Sequence, residues 1–520
     1  MREEYVILAV VLAAVAVWIP FVMYTNRKDH PKVLFYLFMV ELWERFSYYG
    51  MRAFLILYLT KEVVSGAFGF EEGVGYGIYA AYGALVYLTP LAGGLLADRL
   101  LGFRASIIWG ALLMAAGQFT LFASQSPGDS GENDQMLLFA GLGLLVLGNG
   151  FFKPNISSLI GKFYPQTDPR RDRAFTLFYM GINTGALLAP LACGAVAEIE
   201  GWRYGFLLAG IGMLTGLGIF LYTSYLGLLE DKADPPPAAT GLKFAGIPLS
   251  AFVYLGTFVA LPLVGLLIRK NDLMDIILGI VGALMIIFMV VLSFWYDRVQ
   301  RHRMWVITIL LVFTAVFWTF FELAGSALNL FTEKNVEKSM FGVSVKTSML
   351  QSVNAAFIVI FAPAFSAMWA FLAKRNMEPA APVKFAAGLL LLGAGFLVLN
   401  LGTPLAKEAM IPLLFLLLLY LLHTFGELAL SPVGLSLVTK LAPTQIVAFM
   451  MGFWFLSSSI AHQAGKPISK LTAVDKSATK EQSLELAMSV FNNVGFVAIG
   501  SGVLLLLLSP IIKRWMHGIK

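Results

Sequence analysis

The chain has 520 residues, 58% hydrophobic and only 13% charged, with a mean hydropathy of +0.79. A soluble domain carries about 25% charged residues, so the composition excludes an ordinary water-soluble enzyme or binding module and points to a membrane. The formal charge of +6 is spread over loops rather than gathered on one face, which argues for membrane topology and against nucleic acid as a partner.

In chain order, apolar runs long enough to cross about 30 Å of hydrocarbon predict helices over 5–24, 33–60, 75–97, 105–124, 136–160, 173–197 and 204–228. After the loop EDKADPPPAATGLK come 244–268 and 275–296, then 305–330, 347–373, 384–402, 409–440, 447–465 and 485–512. Backbone groups in lipid must be bonded internally, so the fifteen spans are helices; a closed barrel would show short alternating segments, which the sequence lacks. The first run, YVILAVVLAAVAVWIPFVMYT, follows MREE rather than a basic segment and precedes no small-x-small cleavage site. It therefore reads as an uncleaved span, not a secretion signal.

Alternating the loops across the membrane puts 21 of the 37 basic residues on one side and 13, Arg2 included, on the other, with Arg45, Arg52 and Lys153 inside spans. The richer side is predicted to be cytoplasmic. The N-terminus and acidic stretches such as SGENDQ then face outside and the C-terminus inside. The single cysteine, Cys193, cannot form an intramolecular disulfide, and the five histidines show no metal-ligand spacing.

An internal repeat organises the spans. Trp43, Phe46 and Gly50 share the spacing W-x2-F-x3-G with Trp318, Phe321 and Gly325. Pro154, Lys162 and Pro165 share P-x7-K-x2-P with Pro432, Lys440 and Pro443. With 5–24, 244–268 and 275–296 set aside, the matches fall in the first and fourth helices of two six-helix sets. The expected fold is all-α and integral to the membrane: an extra helix and linker (1–32), a first bundle (33–230), a linker with a two-helix insert (231–303) and a second bundle (304–520). Repeats of this kind place a substrate site near the midplane, between the halves.

The segment ELWERFSYYGMR puts charge into hydrocarbon. At about 100° per residue, Glu41, Glu44, Arg45, Tyr48 and Arg52 fall at about 0°, −60°, 40°, −20° and 20°, one face about 16 Å long. Burying an acid or base costs about 2.5–3.5 kcal/mol on insertion scales, so this face needs partners or water. An ion-pair seam between Glu41 and Arg45 would satisfy it structurally; a substrate and proton pathway would do so functionally. Lys153 in GNGFFKPNISS, Glu322 in FWTFFELAGS and Glu427 in HTFGELALSPVG strengthen the second reading. Four intramembrane acids against three bases sum to −1, so one proton would neutralise the set. Glu44 or Glu41 is the expected acceptor.

ELWERFSYYGMR resembles the ExxERFxYYG motif of the proton-dependent oligopeptide transporter family, within the major facilitator superfamily. GNGFFKPNISS and FYMGINTG match two further family motifs, and GGLLADRLLGFR looks like the superfamily loop between its second and third helices, which fastens neighbouring helices in one conformational state. The resemblance runs from about residue 33 to 513. It implies a bacterial symporter importing di- and tripeptides with protons, coupled through Glu41, Glu44 and Arg45. The peptide carboxylate would pair with Arg45, Arg52 or Lys153, and its ammonium with Glu322 or Glu427, helped by Asn183 and Asn354. By the same resemblance Tyr48, Tyr49, Tyr87, Tyr179, Trp318 and Trp454 line the pocket. Ser431 joins them on the Glu427 face. Arg52 with Glu322 would form the outer gate and Lys153 with Glu427 the inner one.

Three positions depart from the family pattern. Ala80 stands where animal members carry a histidine, which leaves the proton route to the glutamates of the first family helix; Leu323 stands where Gln is common; and Ala355 follows Asn354 in place of proline. The short 403–408 segment excludes the large extracellular domain of animal members, while 244–296 resembles the extra hairpin of bacterial ones. Helix 5–24 is not part of the pattern. The expected setting is the bacterial inner membrane, with no cofactor beyond protons as the coupling ion and the monomer as the functional unit. A related carrier of nitrate or another small anion is the alternative. A membrane-embedded enzyme would need a metal set or an activated nucleophile, and His423, one turn before Glu427, reads better as a packing or hydrogen-bonding residue. A non-transporting receptor would need an appended signalling domain, which the sequence lacks.

Overall fold

A computed structural model describes residues 3–124, 134–165, 168–239, 241–340, 342–443 and 446–519. Arg2, Lys520 and residues 130–133 of the SGENDQ stretch, which entered the topology prediction, lie outside them. Each predicted span holds a helix, but the first residues of two do not belong to it: Lys243–Phe244 pairs with Ile247–Pro248 as a short antiparallel hairpin, and Ile411–Pro412 is extended. Helices α1 (Glu3–Asn26), α2 (Lys32–Thr60), α3 (Glu72–Leu96), α4 (Gly102–Ala123) and α5 (Gln135–Lys162) run without a break. The sixth span is interrupted: α6 (Arg171–Ala189) and α7 (Ala195–Glu200) join through a wide π-type turn over Pro190–Gly194. Proline has no N–H for the helical ladder and its ring crowds the carbonyl one turn back, so the ladder widens there.

Helices α8 (Trp202–Tyr225), α9 (Leu249–Arg269) and α10 (Asn271–Ser293) follow. The tenth span is α11 (Arg298–Phe321), a tight 3-10 turn over Glu322–Gly325, and α12 (Ala327–Asn335). The rest are α13 (Ser352–Lys374), α14 (Ala381–Gly402), α15 (Leu413–Leu441), α16 (Val447–Leu471) and α17 (Lys480–Trp515). Twelve stretches among the described residues are long and apolar enough to cross a membrane, one of them, Glu72–Ala123, holding both α3 and α4. Helix α2 is not among the twelve, because Lys32, Glu41, Glu44, Arg45 and Arg52 interrupt its apolar character.

The chain divides into two compact units. The first comprises Met1–Phe70, Leu85–Lys270 and Ser344–Ala355. Within it α2 packs on α6 and α8, α4 on α5 and α8, and α9 lies on α5. The α4–α5 approach needs glycine: a Cβ on Gly148 would come within 2.7 Å of the Gly110 carbonyl oxygen, and one on Gly110 within 2.6 Å of the Gly148 carbonyl. Without a hydrophobic drive between helices in lipid, such close backbone contact supplies the packing energy. The buried rings of Phe54, Tyr58 and Phe206 stack edge to face at 4.9 Å, and the Tyr58 hydroxyl lies 2.9 Å from Ser124 Oγ. The second unit comprises Glu71–Ala84, Asn271–Val343 and Ala356–Lys520. There α14 packs on α15 and α17, and α11 on α16.

Polar ties hold the loops of the first unit. Arg104, from the superfamily-like loop, pairs with Asp234 at 2.9 Å and donates to Ser224 Oγ at 2.7 Å and the Glu230 carbonyl at 3.2 Å. This fastens the start of α4 to the end of α8. Asp98 of the same loop is exposed. Between α1 and α2, buried His30 sets Nδ1 2.9 Å from the Tyr164 hydroxyl. Burial first, and then the Arg173 charge, lower the His30 pKa from its ordinary 6.5. Its neutral form is therefore favoured by folding: the contribution is present above pH about 6.5 and is lost as pH falls through the lowered folded value. Nearby, the hydrogen bond from Arg170 holds the Asp168 carboxyl at about 2.

Candidate functional site

The charged stripe of α2 is buried. Glu41, Glu44 and Arg45 are 2%, 0% and 3% exposed. Arg45 Nε lies 2.9 Å from Glu41 Oε1 and also pairs with Glu44, so one guanidinium serves two carboxylates. Asn149 Nδ2 reaches Glu44 Oε1 at 3.5 Å. Glu41 Oε2, Arg45 Nη2 and Asn149 Oδ1 have no hydrogen-bond partner among the described residues. Buried polar atoms are costly when unpaired, which makes this cluster suited to taking up a proton or a ligand group. Tyr48 places its ring centroid 5.7 Å from the Arg45 guanidinium and 5.1 Å from the ring of Tyr49.

The sequence motifs explain how these groups meet. In GNGFFKPNISS, a Cβ on Gly150 would press on Thr89 of α3 at 2.8 Å, and Gly148 packs on α4. The residue between them, Asn149, is left to face Glu44, and Lys153 sets its Nζ 4.1 Å from the Tyr87 ring centroid. In FYMGINTG, a Cβ on Gly181 would approach the Phe38 carbonyl at 3.0 Å and one on Gly185 would meet Arg45 Cβ at 2.8 Å. These glycines let α6 lie against the charged stretch of α2. Asn183 is buried and turns its amide N–H onto the Tyr179 carbonyl at 3.0 Å. Tyr179 is exposed, while Arg52, Tyr87 and Asn354 are half-buried.

The second unit holds the other predicted residues. Trp318 packs edge to face on Phe317 at 5.4 Å and Phe321 at 5.1 Å. Glu322 opens the 3-10 turn that ends α11, and its Oε1 lies 3.7 Å from Nε2 of buried His462. That imidazole rests on α3 where a Cβ at Gly83 would strike Nδ1 at 2.7 Å. Glu427 and Ser431 are half-buried on α15, four residues apart and so on one face. Trp454 is buried beside Phe385, with ring centroids 6.3 Å apart. His423 is a packing and hydrogen-bonding residue, as expected: it is buried, with Nε2 3.1 Å from the Leu392 carbonyl. No group of three His, Cys, Asp or Glu among the described residues could hold a metal ion.

The structure thus gathers Glu41, Glu44, Arg45 and Tyr48 into one cluster and pairs Lys153 with Tyr87. Each predicted gating pair, Arg52 with Glu322 and Lys153 with Glu427, draws one residue from each unit. Sequence reasoning missed Asn149 and His462. Both are polar side chains inside apolar helices, the same signal that singled out Lys153.

Apolar spans in two units, with ionisable groups buried in their helices, make a polytopic membrane protein, and its similarity to solved transporters gives it the major facilitator fold. A family model described as POT family matches residues 104–484, and the chain belongs to that family. It is 36% identical over 492 residues to the uncharacterized transporter YclF of Bacillus subtilis, covering 94% of this chain and 96% of the relative. It is 35% identical over 504 residues to the peptide transporter YePEPT of Yersinia enterocolitica, with the same coverage of 94% and 96%. Among solved structures it is similar to a mutant of the peptide transporter POT in complex with alafosfalin, with a TM-score of 0.80 and 36% identity over 94% of this chain and 96% of that one.

Proposed function

We propose that the protein is a proton-coupled symporter that imports di- and tripeptides by alternating access. The observation that carries this reading is the cluster of Glu41, Glu44 and Arg45, buried together on α2. Two carboxylates sharing one guanidinium leave a net −1, which one proton on Glu44 or Glu41 cancels. Proton uptake and release there would change the charge of a site that has little water to screen it, so the proton and the substrate charges are coupled through Coulomb interaction.

A zwitterionic peptide matches the charge of the two units. Arg45, Arg52 and Lys153 outnumber Glu41 and Glu44 in the first, and Arg can take a carboxylate bidentately. Glu322 and Glu427 supply negative charge for the ammonium in the second, with Asn183 and Asn354 as further ligands and Ser431 beside Glu427. Tyr48, Tyr49, Tyr87, Tyr179, Trp318 and Trp454 would line the pocket. Arg52–Glu322 and Lys153–Glu427 act as outer and inner gates between bundles 33–230 and 304–520. The protein works as a monomer in the bacterial inner membrane, its N-terminus outside and its C-terminus in the cytoplasm, and needs no cofactor other than the coupling proton. The peptide substrates named for YePEPT support the substrate class.

Uptake of labelled dialanine into liposomes tests that class. Excess unlabelled trialanine should suppress the signal and excess nitrate should leave it unchanged. Suppression by nitrate with no effect of trialanine would replace the peptide reading with the small-anion carrier.

A further inference from the structure

Helix α1 has no counterpart in the motifs that define the family resemblance, and most of it is exposed: only 11% of its apolar window is buried. Its N-terminal turn is different. Glu3 Oε2 accepts from the Ser344 N–H at 2.9 Å, and Glu4, 8% exposed, sets Oε1 3.5 Å from Lys346 Nζ. Tyr5 donates to Glu200 Oε1 at 3.0 Å, tying the same turn to the end of α7. Ile7, Leu8 and Val11 then pack against Leu191, Ala195 and Met349.

A third acid holds the same stretch. Glu198 Oε1 accepts from both the N–H of Ser348, at 2.7 Å, and its hydroxyl, at 2.6 Å. Ser348 opens the 3-10 turn Ser348–Gln351, whose first N–H groups have no partner within the turn. The Glu198 carboxylate supplies one from another element. The Ser348 side chain fits where Gly194 lacks a Cβ, since a Cβ there would meet Ser348 Cβ at 2.8 Å.

The location of this stretch in the chain gives these contacts their meaning. Residues Ser344–Ala355 belong to the first unit, yet the chain on either side, up to Val343 and from Ala356, belongs to the second. The captured segment also carries Asn354. We propose that α1 and Glu198 form a latch on Ser344–Ala355, and that Glu3, Glu4 and Glu198 are positioning residues of the transport cycle. The inference rests on the alternating-access reading above: α13 is one helix that begins in the first unit and continues in the second from Ala356, so if the units move against each other either α13 bends near Ala355 or the bonds that hold Ser344–Ala355 give way. The latch lies on the side that the charge distribution assigns to the exterior, so its closure favours states closed to the outside.

The test uses the full-length protein. Hydrogen exchange in lipid nanodiscs should show the Ser344 and Ser348 amides protected, and Glu198→Gln should speed exchange over 344–352 about tenfold while α14 keeps its rate. In liposomes the same variant should lower the external KM for dialanine about 3- to 10-fold, because a larger fraction of molecules then faces outward. Glu4→Lys alone should act in the same direction, and Glu4→Lys with Lys346→Glu should return both readouts toward wild type. Exchange over 344–352 that is unchanged in Glu198→Gln would overturn the latch. Faster exchange with an unchanged KM and a reduced maximal rate would reduce Glu198 to a structural residue. The exchange arm needs no substrate, so it judges the latch even if the peptide reading fails.

Discussion

Glu44→Gln is expected to abolish accumulation of peptide against its gradient while leaving peptide exchange across the membrane within about threefold of wild type. Each pH unit of gradient is worth about 1.36 kcal/mol per proton, so one coupled proton across two units can accumulate peptide up to about 100-fold. The variant should equilibrate peptide and stop there. The physical reason is local. Glu44 is fully buried, shares Arg45 with Glu41 and accepts from Asn149. Glutamine preserves shape and much of the hydrogen bonding but cannot gain or lose the proton. Glu41→Gln should behave in the same way to the extent that the two acids share that proton, since such pairs titrate jointly. The measurement is labelled-peptide uptake and counterflow in the same liposomes. If both single variants accumulated peptide like wild type, the α2 acids would have no part in coupling.

Arg45→Met is expected to be the most destabilising single change in the first unit. It removes the cation that lies 2.9 Å from Glu41 and in contact with Glu44, the only one so placed among the described residues, and both acids are at most 2% exposed. Breaking a buried pair by deleting one partner typically costs about 3–5 kcal/mol, because the remaining charge is left uncompensated. Adding Glu44→Gln to Arg45→Met should recover part of the loss, since only one bare carboxylate then remains. Arg45→Lys should cost less than Arg45→Met but should not match wild type, because lysine has no group at the Nε position from which Arg45 reaches both carboxylates. Thermal unfolding in detergent, followed by intrinsic fluorescence, reads all four proteins. A stable Arg45→Met, or a double variant worse than it, would mean the triad is not the charge balance described here.

Much of the fold was legible because lipid imposes one demand, an apolar run with internal hydrogen bonds, and the runs gave each span its place. The ends were less legible for the same reason. Helix α11 begins at Arg298, not 305, and α17 begins at Lys480, not 485. Those extra turns are polar and leave the hydrocarbon, so hydropathy does not see them. Capping chemistry does: Asp297 accepts from the Gln300 N–H at 2.8 Å, and Thr479 and Gln482 form a reciprocal capping box. Helix α16 runs to Leu471 rather than 465 because Lys466, itself buried, is paired to Asp272 at 2.7 Å and Asp275 at 2.6 Å on α10. No local pattern announces that partnership.

The candidate site was legible where charge stood inside an apolar helix. Glu41, Glu44 and Arg45 share a face by helical period alone, and the structure puts them in contact. Its other polar partners were not. Asn149 reaches Glu44 only because flanking glycines bring α5 against α3 and α4. His462 meets Glu322 across more than a hundred residues of chain, through α16 lying on α11.

The central claim is that peptide and proton move together, and one measurement addresses it directly. Liposomes containing the protein, loaded with a pH-sensitive dye and held at equal pH on both sides, are given dialanine outside under an inside-negative potential. Each elementary charge gains about 2.3 kcal/mol per 100 mV, so proton-coupled entry should acidify the interior when peptide is added, and the signal should disappear in Glu44→Gln. Entry of labelled dialanine at the wild-type rate with no acidification would contradict the account.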